Sequence, residues 1–193
     1  MLPIEQIQSI LKEKLSLHRY HHSLRVQETA EKLAKIYNVS IEKASIAGLV
    51  HDCAKDLSDD ELLKYAIEFG ILIDDIFYYQ RQLLHGIVSM ELAKMEFKIE
   101  DEEILNAIRF HTTGRENMST LEKIVFIADY IEPGRTFKEV EQLRKEAFSN
   151  LDLACLMAMD NTIRYVLSKG DLLHPLTVEA RNFILLQRKA ASR

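Results

Sequence analysis

The sequence has few of the residues that build turns, disulfides or membrane spans. Among 193 residues there are six glycines, three prolines and no tryptophan, which leaves little room for a turn-rich all-β fold. Cys53 and Cys155 form neither a CxxC pair nor a disulfide framework, and this fits a reducing cytosol. No run approaches the roughly 20 apolar residues of a membrane span, and Glu5 stands where a signal core would be apolar. We therefore expect a soluble, cytoplasmic chain with no membrane partner.

An excess of positive charge is missing as well. The chain carries 25 lysine and arginine residues against 30 aspartate and glutamate residues, a formal net charge of −5. Non-specific nucleic-acid binding needs a broad basic surface, so the charge argues against a nucleic-acid partner. A small anionic substrate stays open, because bound metal ions and a few lysines or arginines can reverse the local field. The length suits one sizeable core, and we expect a single domain over residues 1–193.

Apolar residues recur at helical spacing along almost the whole chain. The pattern predicts helices over about 4–15, 19–37, 40–52, 59–69, 83–95, 101–110, 121–131, 137–148, 151–167 and 175–189. Capping boxes are predicted where Ser58 precedes Glu61 and where Ser119 precedes Glu122. The stretch 71–79 is predicted to be a loop or a short turn of helix. The predicted fold class is all-α.

The helix predicted over 40–52 is nearly all apolar, with Ser40 as its N-cap. A helix that is apolar on every side is typical of the centre of a bundle. This one ends in His51 and Asp52, and Lys55 follows. Adjacent residues inside a straight helix point about 100° apart, but at a helix end they can converge on one metal ion. A helix cap with a charged rim is the alternative interpretation of this stretch taken alone.

Four further segments also interrupt or end an apolar helix with a polar residue, and they carry His22, His85, His111 and Asp129. An unpaired polar group in an apolar core costs a few kcal/mol, and a single such histidine is more often a core residue with satisfied hydrogen bonds. Five such segments favour a metal site, because helical bundles commonly build one from facing helices. Imidazole and carboxylate ligands without thiolate favour iron, manganese or another octahedral ion with open positions.

Six candidate ligands are too many for one catalytic ion and suit two. They are four histidines and two aspartates: His22, His51, Asp52, His85, His111 and Asp129. We expect His85 and His111 to hold the second ion, the other four to hold the first, and Asp52 to bridge the pair. Two ions about 3.5–4 Å apart can generate a bridging hydroxide that attacks phosphorus, and can stabilise the attacking and leaving oxygens.

The order of His22, His51-Asp52 and Asp129 resembles the H…HD…D pattern of the HD superfamily of metal-dependent phosphohydrolases, which is all-helical. His85 and His111, placed between the HD pair and the last aspartate, resemble the two-metal subgroup. The strings at 22–23, 47–55, 84–86, 111–114 and 127–135 together resemble the YqeK-type symmetrical diadenosine tetraphosphatases over nearly the whole chain.

The resemblance implies an enzyme that hydrolyses diadenosine tetraphosphate into two ADP at a di-iron or similar centre, with manganese or cobalt as substitutes. The metal-site core would cover about 18–135, and the C-terminal helices of about 137–190 would pack on it. Alternatives are another HD hydrolase, acting on nucleoside mono- or triphosphates or on an alarmone, and a non-catalytic HD module that binds nucleotide as a regulator. A homodimer is compatible with the sequence.

A tetraphosphate needs positive partners besides metal ions. Arg25 and Lys55 each lie three residues after a predicted ligand, and Arg135 follows the turn at Pro133-Gly134. Each can reach a phosphate oxygen, and arginine suits bidentate contact, although a single surface cation is more often simply solvated.

Residues beside the ligands have two interpretations each. Thr113 and Gly114 can offer a hydroxyl and a close backbone approach to phosphate or ribose, or only end a helix. Asp56 can carry a proton near the nucleophile, which would place it with Asp52 and Lys55 in the catalytic set, or it can pair with Lys55. His174, next to Pro175, is predicted to mark a helix start, and the aromatic group 77–79 with Arg81 can stack on a base or serve packing.

Overall fold

The computed structural model describes residues 1–191, and over this range the chain is all-helical, as predicted. The helices are α1 (Ile4–Lys14), α2 (Leu17–Ile36), α3 (Ile41–Val50), α4 (Asp59–Glu68), α5 (Asp75–Tyr79), α6 (Leu84–Phe97), α7 (Glu102–Arg109), α8 (Thr120–Ile131), α9 (Val140–Ala147), α10 (Leu151–Lys169) and α11 (Pro175–Ala191), with a 3-10 turn at Arg81–Leu83. Within this range no helix has both the length and the apolar character needed to span a bilayer.

Helix α3 is the central helix. All of its residues from Ala44 to Val50 are buried, because α2, α7 and α8 pack around it. Ser40 caps its first turn by accepting a hydrogen bond from the Lys43 N–H at 3.3 Å. The helix ends at Val50, and His51 is its C-cap. The chain then continues in tight turns, so His51 and Asp52 project from the end of a helix that is fixed on several sides.

Two apolar clusters join the remaining helices to this centre. The larger one extends from α1, α2 and α3 through α7 and α8 to α10 and α11, and it includes Ile7, Leu33, Leu49, Ile124, Cys155 and Ile184. The smaller one joins α4 to α6 through Leu62, Ala66, Leu84, Val88 and Leu92. Helix α6 also approaches the end of α3, since the N–H of Ala54, just after α3, donates to Ser89 Oγ at 3.1 Å.

Most predicted helix boundaries lie within three residues of the observed ones. The segment 71–79 contains a short helix, and the helix predicted to begin at Phe137 begins at Val140. Ser58 and Glu61 form the predicted capping box. The second predicted box is only half formed. Ser119 caps α8, but the carboxylate of Glu122 accepts two hydrogen bonds from Arg115, at 2.7 and 2.8 Å.

Candidate metal centre

The structure brings all six predicted ligands into one cluster. His22 lies within α2, His51 and Asp52 follow the end of α3, and His85 stands in the first turn of α6. The other two come from the chain just after α7, which carries His111, and from α8, which carries Asp129. The four imidazoles and the Asp52 carboxylate are all buried, with no more than 3% of any of these residues exposed. Asp129 has 21% of its side chain exposed and forms the open edge.

The first ligand set consists of His22, His51 and Asp129 around one oxygen of Asp52. Asp52 Oδ2 lies 3.7 Å from His22 Nε2 and 3.6 Å from His51 Nε2. Asp129 Oδ1 lies 3.0 and 3.9 Å from the same two nitrogens. Both Nε2 atoms are buried, and neither makes a hydrogen bond within residues 1–191. Because an unpartnered buried polar atom is costly, atoms held in this way fit a cation.

The second ligand set consists of His85 and His111 around the other oxygen of Asp52. Asp52 Oδ1 lies 3.3 Å from His85 Nε2 and 3.2 Å from His111 Nε2. The two Nε2 atoms are 3.1 Å apart, and Thr112 Oγ1 is 3.0 Å from each. Lys55 Nζ lies 3.2 Å from His85 Nδ1. The carboxylate of Asp52 therefore faces one ligand set with each oxygen, which is the geometry of a bridging ligand.

Each imidazole directs its Nδ1 away from the cluster and towards an oxygen acceptor. In three cases the acceptor is the backbone carbonyl three residues earlier: Gly48 for His51 (2.8 Å), Gln82 for His85, and Ile108 for His111 (2.7 Å). His22 differs, since its Nδ1 lies 3.1 Å from Glu132 Oε1. An Nδ1–H held by an acceptor leaves the Nε2 lone pair free for a metal ion, so all four rings are oriented as ligands.

Glu132, which the sequence did not single out, is the buried carboxylate that holds His22. It accepts hydrogen bonds from Arg25 Nε at 2.5 Å and from the Gly134 N–H at 2.5 Å. A Cβ atom at position 134 would lie 2.7 Å from Arg25 Nη2, so a larger residue there would have to displace the end of the Arg25 side chain. The guanidinium of Arg25 is thus engaged with Glu132. Its predicted contact with substrate stays a prediction.

Arg19 is a second residue that the sequence did not single out. Its Nη1 donates to Asp52 Oδ2 at 2.6 Å, and 18% of its side chain is exposed. It lies three residues before His22 on α2, so helical spacing could have indicated that both face the cluster. Asp56 accepts a hydrogen bond from the Ser16 N–H at 2.8 Å and lies 3.9 Å from Arg19 Nε. These contacts join Asp56 to the start of α2, and its predicted catalytic role stays a prediction.

Arg135 stands at the open edge of the cluster, beside the first ligand set. Its Nη2 donates to Asp129 Oδ1 at 2.5 Å, and its Nε donates to the Asp129 carbonyl at 2.9 Å. With 41% of the side chain exposed, the guanidinium keeps donors free towards solvent. A phosphate oxygen at this edge could therefore reach Arg135, and the predicted substrate contact stays a prediction.

Thr113 and Gly114 face a different direction from their neighbour Thr112. Thr113 is buried and donates from Oγ1 to the Gly114 carbonyl at 2.9 Å. Gly114 adopts a φ of +67°, and a Cβ there would lie 2.8 Å from Met159 Cε. Both residues thus make the contacts expected at the end of a helix, and the predicted substrate contact stays a prediction. Thr112 is the residue of this stretch that touches the cluster.

Burial sets the protonation states in the cluster. It lowers the pKa of His51 to about 4 and that of His85 to about 3, so both rings are neutral at pH 7. Burial alone would raise the pKa of Asp52, but His51, His85 and His111 together hold it well below its usual range. Burial also lowers the pKa of Lys55. Neutral imidazoles and an ionised carboxylate are the forms that bind metal ions.

A cleft of about 710 Å³ opens between α8 and α10 and leads to the cluster, and we call it the larger cleft. His111, Thr112 and Asp129 line its inner end. Its walls carry aromatic, polar and basic side chains: Phe126, Tyr130, Arg135, Phe137, Glu139, Asn161, Thr162, Arg164 and Tyr165. The volume lies in the range of small-molecule sites, roughly 300–1,000 Å³.

Comparisons with known proteins agree with this geometry. Residues 19–134 match the family model described as HD domain. A symmetrical bis(5'-nucleosyl)-tetraphosphatase of Halalkalibacterium halodurans is 43% identical over 93% of this chain and 96% of its own length. Another of the same name, from Staphylococcus aureus, is 40% identical over 93% of each chain. A crystal structure from Clostridium acetobutylicum, described as a predicted HD superfamily hydrolase involved in NAD metabolism, is 50% identical, with a TM-score of 0.94 over 97% of this chain and 99% of that one. With its His and Asp cluster at the matched positions, this chain belongs to the HD domain family.

Proposed function

We propose that this chain is an enzyme that hydrolyses diadenosine tetraphosphate symmetrically into two molecules of ADP. The observation that carries the proposal is the pair of ligand sets around Asp52 at the inner end of the larger cleft. Relatives named symmetrical bis(5'-nucleosyl)-tetraphosphatase, matched along almost their whole length, supply the substrate class.

Two divalent or trivalent metal ions fit the two ligand sets, with iron as the first choice and manganese or cobalt as substitutes. His22, His51 and Asp129 would hold one ion, His85 and His111 the other, and Asp52 both. Ions bound there would lower the pKa of water and stabilise the negative charge that develops on phosphoryl oxygens. The unpartnered His22 Nε2, His51 Nε2 and Asp52 Oδ1 atoms support this assignment.

The protein's own cations offset part of the charge of the substrate. The reaction consumes one water molecule and breaks the bond between the central bridging oxygen and one of its two phosphorus atoms. Lys55 borders the second ligand set and Arg135 the first, so together they can contact phosphates on both sides of that bond. Because burial lowers the pKa of Lys55, its ammonium gives a proton more readily to the departing phosphate.

Product analysis tests the proposal directly. The protein, loaded with Fe(II) without oxygen or with Mn(II), is given diadenosine tetraphosphate in ¹⁸O-water. Two ADP are expected, one of them carrying the label in its terminal phosphate. AMP with ATP would contradict symmetrical cleavage. Faster turnover of nucleoside mono- or triphosphates or of an alarmone would favour another HD hydrolase, and tight binding without turnover would favour a regulatory module.

We propose a cytoplasmic location, a single domain and no nucleic-acid partner, and a homodimer stays open. The two unpaired cysteines support the cytoplasmic location, and the net charge of −5 supports the absence of a nucleic-acid partner. The apolar cluster that joins α1 to α11 supports a single domain.

A further inference from the structure

A second cleft, of about 430 Å³, lies on the other side of Thr112. It is formed by the segment 80–83 before α6, the C-terminal part of α10 and the segment 171–174 before α11. Thr112, Thr162 and Tyr165 line both this second cleft and the larger cleft. The two clefts are therefore neighbours that share these lining residues, and Thr112 Oγ1 also touches the second ligand set.

His174 lines the second cleft and has a buried ring nitrogen, Nε2, that makes no hydrogen bond within residues 1–191. Its Nδ1 accepts the N–H of Leu176 at 3.2 Å, so in the neutral ring the proton is on Nε2. Only 7% of His174 is exposed, and its Nε2 has no partner within residues 1–191. Burial lowers the pKa of His174, which favours the neutral form. A buried donor without a partner is rare in folded proteins, and one that belongs to the lining of a cleft points to a ligand.

The surroundings of His174 hold its ring in place. The ring packs against Phe77, with the ring centres 5.0 Å apart and the planes inclined by 58°. Arg81 also lines this cleft, where its guanidinium lies 5.5 Å from the centre of the Tyr78 ring. Apolar side chains at Leu172 and Leu173 add to the lining. A flat aromatic ligand with nitrogen acceptors at its edge, such as a purine base, matches this combination.

Resting on the proposed function, we infer that the second cleft holds the second adenosine of the substrate, with His174 Nε2 donating to a ring nitrogen of its base. The substrate is symmetric about its central oxygen, so its two nucleoside halves leave the cleavage point in opposite directions. An enzyme that cuts at the centre needs space on both sides of its catalytic residues. Thr112, between the two clefts and against the second ligand set, marks that point. Both volumes lie within roughly 300–1,000 Å³, the range of ligand pockets.

The test compares diadenosine tetraphosphate with adenosine 5'-tetraphosphate, which has one nucleoside and can use the larger cleft alone. His174→Phe keeps a ring against Phe77 but removes the donor, whereas His174→Gln keeps a donor near the position of Nε2. We expect the ratio of the two KM values, dinucleotide over mononucleotide, to rise about tenfold in His174→Phe. His174→Gln should bring this ratio most of the way back to its wild-type value. His21→Phe, at an exposed histidine outside both clefts, should keep the wild-type ratio.

An unchanged ratio in His174→Phe, or an equal rise of both KM values, would overturn the inference, since a purely structural role affects both substrates alike. Leu172→Trp repeats the test at a partly exposed position of the same cleft, should His174→Phe fail to fold. Equilibrium dialysis with ADP and Mn(II) gives a readout that needs no turnover. Two ADP per wild-type chain and one per His174→Phe chain are expected. A wild-type protein that binds two ADP but does not cleave the dinucleotide would defeat the proposed function and leave the second cleft standing.

Discussion

The first and second ligand sets share Asp52 but have different surroundings. The first set contains a second carboxylate, Asp129, and a third, Glu132, stands behind its histidine. The second set has no carboxylate of its own among residues 1–191, and its neighbours are the hydroxyl of Thr112 and the ammonium of Lys55. Both carboxylate oxygens of the first set accept hydrogen bonds from arginines, Arg19 and Arg135, whereas the one carboxylate oxygen of the second set accepts none within residues 1–191.

This difference leads us to expect unequal metal sites. The first set offers two carboxylate oxygens and two imidazoles to a divalent cation, with Arg19 and Arg135 offsetting part of its negative charge, whereas the second offers one shared oxygen and two imidazoles beside a lysine. The first set would therefore hold its ion more tightly. Both sets border the larger cleft, the first through Asp129 and the second through His111, so phosphate oxygens in that cleft can reach both.

Asp52→Ala should have the largest effect, since it removes the residue common to both sets. We expect metal content to fall below one ion per chain and turnover to fall at least about a thousandfold. Elemental analysis and product assay measure the two quantities. Asp75→Ala, at an exposed aspartate of α5, is the control and should retain both. An active Asp52→Ala protein would refute the site assignment.

Separate histidine variants should distinguish the two sets. In a calorimetric titration with Mn(II), the wild type should bind two ions with unequal affinity. His111→Ala should lose the weaker event, because it belongs to the second set, and His22→Ala should lose the tighter one. The opposite pattern would reverse the order of affinities, and a single event in the wild type would exclude a two-ion centre.

Acid should destabilise the metal-free protein through both sets. The unfolded chain binds a proton at His51 near pH 6.5, but the folded chain does so only near pH 4, so the contribution of His51 is lost as pH falls from 6.5 towards 4. The shift corresponds to about 3 kcal/mol for His51. The low pKa of Asp52 adds a further loss below about pH 4. Denaturant unfolding at several pH values measures how steeply the free energy of unfolding falls with falling pH, and His51→Gln should make this slope shallower. An unchanged slope would contradict the burial argument.

Glu132→Gln tests whether the Glu132 carboxylate assists the first set by orienting His22. Removing the charge that holds His22 Nδ1 should weaken metal binding or activity about 10- to 100-fold. Glu122→Gln is a matched control, because Glu122 is also a buried glutamate paired with an arginine, yet it lies outside the cluster. If both variants lose activity equally, the effect of Glu132 reflects stability alone.

Arg135→Ala should have the smallest effect. Loss of a phosphate contact at the exposed edge of the first set should raise KM about tenfold and change kcat less. Arg181→Ala, which breaks an ion pair with Asp160 elsewhere on the protein, is the control. A fall in kcat at constant KM would instead indicate that Arg135 acts in the transition state.

The ligand residues could be predicted from the sequence because each one is a polar residue that interrupts or ends an apolar helical run. His85 and Asp129, for example, stand in helices whose other buried residues are mostly apolar, and an anomaly of this kind is visible without knowing the fold. The all-helical fold and most helix ends followed from equally local signals, such as the Ser58 and Glu61 capping box.

Residues that act through distant partners could not be predicted in this way. Arg25 and Arg135 look alike in the sequence, yet one is paired with buried Glu132 and the other faces solvent beside Asp129. The pairing of Arg25 joins residues 107 positions apart. Glu132 itself follows a helix end, where a glutamate is normally solvated. Only the packing of α2 against α8 distinguishes these cases.

The orientation of the imidazoles has a consequence for synthesis of the protein. His51, His85 and His111 are each oriented by a carbonyl three residues earlier, a contact that can form as soon as the local turn does. His22 is oriented by a residue 110 positions later. A chain emerging from the ribosome therefore contains every residue of the second set once His111 is out, whereas the first set must wait for Asp129 and Glu132. We expect a nascent chain to offer the second, weaker set to metal ions first and the tighter one last.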